Sequence, residues 1–232
     1  MSAARTLPLA PPIAAPSILS ADFAHLADAL AVADPARDWV HCDVMDNHFV
    51  PNLTFGPIVV AAARKLTTAM LDVHLMIEHP ERLIADFAKA GADQITVHVE
   101  AEHERGLMGV FAMIREGGAR VGLAVKPKTP LETVMPYLRK LDLLLLMTVE
   151  PGFGGQAFMA DLMPKVTAAR DWRAKNGASF LIEVDGGIAP DTAPIARRAG
   201  AEVFVAGNAV FGTPDPAQAL ERLRAAVREA GA

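Results

Sequence analysis

Short runs of apolar and β-branched residues alternate along the chain with longer segments whose apolar positions recur three and four residues apart. The first pattern suits a strand and the second an amphipathic helix, because side chains alternate along a strand and return to one helix face about every 3.6 residues. Strand-like runs recur eight times, ending at Ser17, Asp43, His74, His98, Lys126, Thr148, Asp185 and near Ala206. One of them, Leu141 to Met147, is almost continuously apolar, as a parallel strand covered on both faces should be. Thr129-Pro130-Leu131-Glu132 supplies a cap, a first-turn proline and a capping-box glutamate, and Leu131, Val134, Met135 and Leu138 form the stripe of a predicted helix. Pro80 opens another predicted helix, with Leu83, Ile84 and Phe87 inward and a stop at Gly91. Eight such units predict an α/β fold, a (β/α)₈ barrel rather than an open doubly wound sheet.

Composition agrees with one large core. The chain has 232 residues, 52% of them hydrophobic, with no polar low-complexity stretch. The expected organisation is a loose Ala/Pro-rich tail at 1–12 and a single barrel domain at 13–232. The net charge of −5 comes from mixed signs spread along the sequence, which leaves no basic patch for nucleic acid or an anionic membrane. No apolar run approaches the roughly 20 residues that span a bilayer, and the start lacks the apolar segment of a signal peptide. The single cysteine, Cys42, cannot form an internal disulfide, so the expected location is cytoplasmic.

Chemistry in such barrels sits at the C-terminal ends of the strands. His41 and Asp43 share a strand face while Cys42 points to the other, which makes Cys42 a small buried apolar residue. His74 ends the third strand, and Asp185 closes the seventh ahead of Gly186 and Gly187. If these ends converge, two imidazoles and two carboxylates make a shell for one divalent metal. Three glycine-bearing ends fall late in the chain: Pro151 to Gln156, Asp185 to Gly187, and Ala206 to Ala209. Glycines let backbone N–H groups approach an anion, and the loops after strands seven and eight commonly hold a phosphate. His98 ends the fourth strand without a ligand partner nearby in sequence and reads as structural or supporting. His48, in the loop after the second strand, stays open.

Five segments carry a family resemblance. Pro16 to Phe23 (PSILSADF), His41 to Asn52 (HCDVMDNHFVPN), Asp72 to Ile77 (DVHLMI), Met147 to Gln156 (MTVEPGFGGQ) and Val184 to Ile188 (VDGGI) resemble ribulose-phosphate 3-epimerases. The resemblance runs from about Ile13 to the C-terminus. It implies a TIM barrel of the ribulose-phosphate-binding type that interconverts D-ribulose 5-phosphate and D-xylulose 5-phosphate. It makes His41, Asp43, His74 and Asp185 the metal ligands, with Asp43 and Asp185 also the proton-transferring pair. Ser17 and His74 are implied to touch substrate, under a soft apolar wall of Met45, Met76 and Met147 that would also serve as gap-filling core. Gly152, Phe153, Gly154, Gly155, Gly186, Gly187, Gly207 and Asn208 are the implied phosphate cradle. The implied cofactor is one divalent metal ion (Zn, Fe, Mn or Co) with no organic cofactor. The implied partner is a small ketose phosphate, with no nucleic acid and no membrane, and a homo-oligomer is left open. Two positions depart from the family pattern: Asn47 stands where glycine is frequent, and Asn208 where serine is usual.

The residue types suit that reaction on their own account. Inverting C3 of a 2-ketose removes a proton α to a carbonyl, holds an enediolate and returns a proton from the opposite face, which two carboxylates can do. A divalent metal would stabilise the developing charge. Lys126 at a strand end suggests the Schiff base of an aldolase, but the metal quartet makes an imine redundant and an electrostatic or structural role is expected. The rivals are a D-allulose 6-phosphate 3-epimerase, against which Glu150 to Gly155 favours the pentulose enzyme, a barrel metallohydrolase, which lacks its His-x-His strand motif here, and a non-catalytic sugar-phosphate-binding barrel, which need not keep both carboxylates.

Overall fold

A computed structural model describes residues 10–231. Of the expected tail, residues 1–9 lie outside the described residues, and Ala10, Pro11 and Pro12 lead directly into the first strand. The strands are β1 (Ile13–Pro16), β2 (Trp39–Met45), β3 (Met70–Met76), β4 (Gln94–His98), β5 (Arg120–Val125), β6 (Leu143–Met147), β7 (Leu181–Asp185) and β8 (Val203–Ala206). All pair in parallel, in the order β1-β8-β7-β6-β5-β4-β3-β2. Isolated parallel bridges from Ala14 to Asp38 and from Ser17 to His41 join β1 to β2 and close the barrel. The predicted strand ends fall within two residues of these boundaries.

The helices are α1 (Leu26–Ala31), α2 (Pro57–Leu66), α3 (Ile84–Ala90), α4 (Gly106–Glu116), α5 (Met163–Asn176), α6 (Ala193–Ala199), α7 (Asn208–Phe211) and α8 (Pro216–Glu229). Local chemistry sets their limits. The Asp215 carboxylate caps α8 by accepting the Gln218 N–H at 2.9 Å, and Pro216 in the first turn loses no needed donor. Gly91 ends α3 in the left-handed region at φ 102°, as expected, and Ile84 and Phe87 are buried. Leu83, expected inward, is 37% exposed instead, because a 3₁₀ turn at Pro80–Arg82 precedes α3 and shifts the phase of its buried stripe. No helix among the described residues is long and apolar enough to cross a membrane.

The segment between β5 and β6 corrects the expectation drawn from Thr129 to Glu132. It forms two 3₁₀ turns, Leu131–Thr133 and Leu138–Lys140, with no α-helix. Pro136 is the cause: it has no N–H for the Glu132 carbonyl, its ring would collide with that carbonyl, and it disfavours helical backbone at Met135. The apolar pattern survives the change, with Leu131, Val134 and Leu138 buried.

Alternation along the strands divides the core into two layers. Outward residues such as Cys42, Val73, Leu123, Leu144, Ile182 and Phe204 pack beneath the helices. The barrel interior is apolar where β1, β5, β6 and β8 line it, through Ile13, Ala15, Ala124, Leu143, Leu145, Met147, Val203 and Val205. Strands β2, β3, β4 and β7 instead bring buried polar side chains inward, among them His41, Asp43, Asp72, His74, Thr96, His98 and Glu183. Burying that many polar groups is costly unless they satisfy one another or serve a ligand.

Candidate active site

His41 and Asp43 sit two residues apart on β2, so both face the interior, and the β2–β3 register sets Asp43 beside His74. Asp43 Oδ1 lies 3.2 Å from His41 Nε2 and 3.2 Å from His74 Nδ1, and Asp185 Oδ2 lies 3.8 Å from His74 Nδ1. One donor atom from each of these four residues lies within 4.8 Å of the other three. That is the span of a small coordination shell, and the N₂O₂ donor set suits a borderline divalent cation.

The surroundings of the quartet hold it in place. The Ser17 hydroxyl donates to Asp43 Oδ2 at 2.6 Å, and the Thr54 hydroxyl donates to the Asp43 carbonyl at 2.7 Å. Asp72 Oδ2 lies 2.7 Å from His41 Nδ1, on the far side of the ring from the other donors. A carboxylate in that place takes an N–H from Nδ1 and leaves Nε2 as the donor toward a metal, so both the geometry and the chemistry fit such an ion. Asp72 and Glu183 form a second acidic group around His41, but they serve it from behind.

Charge is unevenly distributed among these groups. Burial opposes ionisation of Asp43, yet the His41 and His74 imidazoles hold its carboxyl well below the usual range. Burial, then Asp43, pushes Asp185 up to about 7. Burial works against a charged His41, but Asp43 and Asp72 outweigh it and hold the imidazole above its usual range. Burial, reinforced by Asp72, keeps the Glu183 carboxyl well above its usual range. Burial lowers His74, and brings His98 down to about 4.

Asp43 and Asp185 open onto a cavity of about 350 Å³. Ser17, Met45, Met76 and Met147 line it, as do Gly152, Phe153, Gly154, Gly155, Gly186, Gly187, Gly207 and Asn208. The loops are tied together: Asn52 Nδ2 donates to the Gly152 carbonyl at 2.8 Å, Gln156 Nε2 to the Glu150 carbonyl at 2.7 Å, and the Thr148 hydroxyl to the Gly186 carbonyl at 2.7 Å. His41 and His74 lie beneath the cavity, fully buried.

The residues with open roles are placed as follows. His98 stands behind His74, with Nε2 2.8 Å from His74 Nε2. Lys126 sets its ammonium 3.7 Å from the Phe49 ring centroid, a cation–π contact in keeping with a structural role. His48 folds back on Asp46 and is exposed. Cys42 is buried in the outer layer, where burial pushes the thiol up to about 12. Asn47 adopts the left-handed backbone at φ 59°, where asparagine is the best tolerated alternative to glycine. Leu19, Ser20 and Val149 also line the cavity; they lie within two of the segments that carry the resemblance, but no chemistry of their own marks them, and the path of the chain after β1 and β6 brings them in.

Fold and site together define a parallel (β/α)₈ barrel with a buried His₂Asp₂ centre beneath a glycine-rimmed pocket. The chain belongs to the Ribulose-phosphate 3 epimerase family, whose sequence profile matches residues 13–211. It is 47% identical over 213 residues to a protein of Synechocystis sp. named ribulose-phosphate 3-epimerase, covering 91% of this chain and 93% of that one. A Mycobacterium tuberculosis protein of the same name is 49% identical over 221 residues, covering 95% and 94%. More distant solved structures share the fold alone. KGPDC from Streptococcus mutans superposes with a TM-score of 0.69 at 13% identity, covering 96% of this chain and 99% of that one. The 3-hexulose-6-phosphate synthase of Salmonella typhimurium gives a TM-score of 0.64 at 17% identity, covering 95% and 100%.

Proposed function

We propose that the chain is a metal-dependent ribulose-phosphate 3-epimerase that interconverts D-ribulose 5-phosphate and D-xylulose 5-phosphate in the cytoplasm, with residues 13–232 as its catalytic domain. The observation that carries this reading is the presence, in one cavity, of a two-carboxylate centre and three glycine-bearing loops. The curated relatives that bear the epimerase name support it over most of the chain.

His41, Asp43, His74 and Asp185 would hold one divalent cation, of the Zn, Fe, Mn or Co kind, which when bound supplies Lewis-acid stabilisation of negative charge on the substrate oxygens. Asp43 and Asp185 exchange the C3 proton, one removing it while the other returns a different one to the opposite face. Each carboxylate acts as base in one direction of the reaction and as acid in the other. Met45, Met76 and Met147 exclude water above the reacting carbons. Backbone N–H groups of Gly154, Gly155, Gly186 and Gly207 receive the phosphate, whose binding energy orients C3.

The test is a coupled assay on metal-analysed protein with D-ribulose 5-phosphate and D-allulose 6-phosphate side by side, the former run also in D₂O. The pentulose phosphate should give the higher kcat/KM, and its product should carry deuterium at C3 from the first turnovers. Preference for the hexulose phosphate would move the assignment to that sugar. No turnover of either by metal-replete protein would leave a binding barrel without catalysis.

A further inference from the structure

A line of buried polar groups leads away from the centre behind His74. The His74 and His98 rings lie 5.0 Å apart with their Nε2 atoms 2.8 Å from each other. His98 Nδ1 lies 3.1 Å from Glu100 Oε2, and Glu100 Oε1 accepts the Lys126 N–H at 2.7 Å. The loop that presents this N–H is itself pinned, because Lys165 Nζ donates to the carbonyls of Pro127 and Thr129 at 2.7 Å each. Both imidazoles are fully buried.

The outer end of this line sets the direction of its bonds, against the pull of the Asp43 carboxylate 3.2 Å from His74 Nδ1 at the inner end. A backbone amide can only donate, so Glu100 Oε1 accepts. Burial disfavours the Glu100 charge, but His98, the Thr129 side chain and the Lys126 N–H hold the carboxyl down at about 2; Oε2, 3.1 Å from His98 Nδ1, therefore also accepts and His98 Nδ1 is the donor. A neutral imidazole has one N–H, which leaves a lone pair on His98 Nε2 facing His74. The hydrogen between the two rings therefore sits on His74 Nε2. His74 Nδ1 keeps its lone pair, and Nδ1 is the atom turned toward Asp43 and Asp185.

We propose that His98 and Glu100 are positioning residues for the metal centre, a relay that fixes His74 in the Nε2–H tautomer so that Nδ1 is always presented as a donor. The proposal rests on reading His74 as a ligand. It gives each ligand imidazole its own holder: Asp72 acts on His41 directly, whereas Glu100 acts on His74 through a second ring. Such outer partners fix ligand orientation and raise ligand basicity.

Glu100→Gln separates this role from simple structural support. The Lys126 N–H still needs an acceptor, so the amide oxygen turns to it and the amide NH₂ turns to His98 Nδ1. The bonds to His98 and to the Lys126 N–H are both replaced, but the relay reverses and places the hydrogen of His74 on Nδ1. The experiment records imidazole ¹⁵N shifts of His74 by NMR in the full chain, stripped of metal and then loaded with Zn²⁺, with zinc affinity measured by chelator competition. Wild-type protein should show the Nε2–H tautomer in both states. Glu100→Gln should show Nδ1–H without metal and a zinc affinity about 10- to 100-fold weaker. A wild-type Nδ1–H tautomer overturns the relay without any variant having to fold, and so does a Glu100→Gln affinity within twofold of wild type. Failure of the ligand reading is separately visible, since His74→Ala would then bind zinc as tightly as wild type.

Discussion

Asp43 is the most heavily committed residue of the site. One carboxylate oxygen faces both imidazoles, the other takes the Ser17 hydroxyl at 2.6 Å, and the backbone carbonyl is held by Thr54. Ser17, expected as a substrate contact, lines the cavity but spends its hydrogen on Asp43. Ser17→Ala should therefore lower kcat about tenfold, the worth of one hydrogen bond to a charged group, with metal content unchanged. Steady-state kinetics with metal analysis on the same preparation checks it. Proton release is a second consequence at this scale. Asp185 is raised to about 7 and His41 is held above its usual range, whereas a bound cation needs the carboxylate and the neutral ring. Below the raised pKa the cation must displace a proton, so zinc affinity should climb with pH from about 5 toward 7 and flatten beyond it as far as Asp185 is concerned. Calorimetry at pH 6 in two buffers of different ionisation enthalpy should detect protons leaving on zinc binding. Identical apparent enthalpies would contradict it.

Among the elements, what the sequence disclosed depended on whether the deciding contact was local. Strand ends were legible because each apolar run ends in a residue of different character, and His41, Asp43, His74 and Asp185 stand out at such ends. The β5–β6 connection departs from its expected helix because the capping signal at Thr129 is local and strong, while its veto, Pro136, lies nearly two turns further on. His98 and Glu100 were illegible as a relay because their partner is on β3, where the pairing of His74 with Thr96 brings His98 alongside. The β7 turn shows a further limit. Gly186 has φ +123°, and a Cβ there would lie 2.4 Å from Val149 Cγ2 and 2.8 Å from the Val149 backbone nitrogen. That glycine serves packing as well as any anion. Gly186→Val should lower stability by about 1–3 kcal/mol through strain. It should also depress kcat/KM for D-ribulose 5-phosphate far more than for unphosphorylated D-ribulose. Denaturant unfolding and the two substrates read the two effects apart, and equal losses on both substrates would remove the phosphate role.

At the scale of the whole molecule, the barrel places its polar interior on β2, β3, β4 and β7 and fills the remainder with apolar side chains. The seam between β1 and β2 is closed by few backbone bonds and is braced from outside. Arg224 on α8 donates from Nε to Asp38 Oδ1 at 2.9 Å, and Asp38, almost fully buried, pairs with Ala14 across the seam. Arg224→Met would strand the Asp38 charge, which among the described residues retains only the Asp34 N–H. A loss of about 3 kcal/mol is expected, since removing one partner of a buried pair leaves an uncompensated charge. The urea midpoint should fall while turnover per folded molecule holds.

Cys42 turns the same strand into a clock. It lies between His41 and Asp43 in sequence, yet its sulfur is sealed in the opposite layer with the thiol raised to about 12. A thiol reagent at neutral pH should find no target until β2 leaves the sheet. Where reclosing outpaces the reagent, the labelling rate then reports the open population of the strand that carries two of the four proposed metal ligands. Because the cation holds only the closed state, saturating zinc should lengthen the labelling half-time by a factor of about 1 + [Zn]/Kd where reclosing outpaces the reagent. The labelling half-time thus becomes a measure, in seconds, of how firmly the ion grips the barrel.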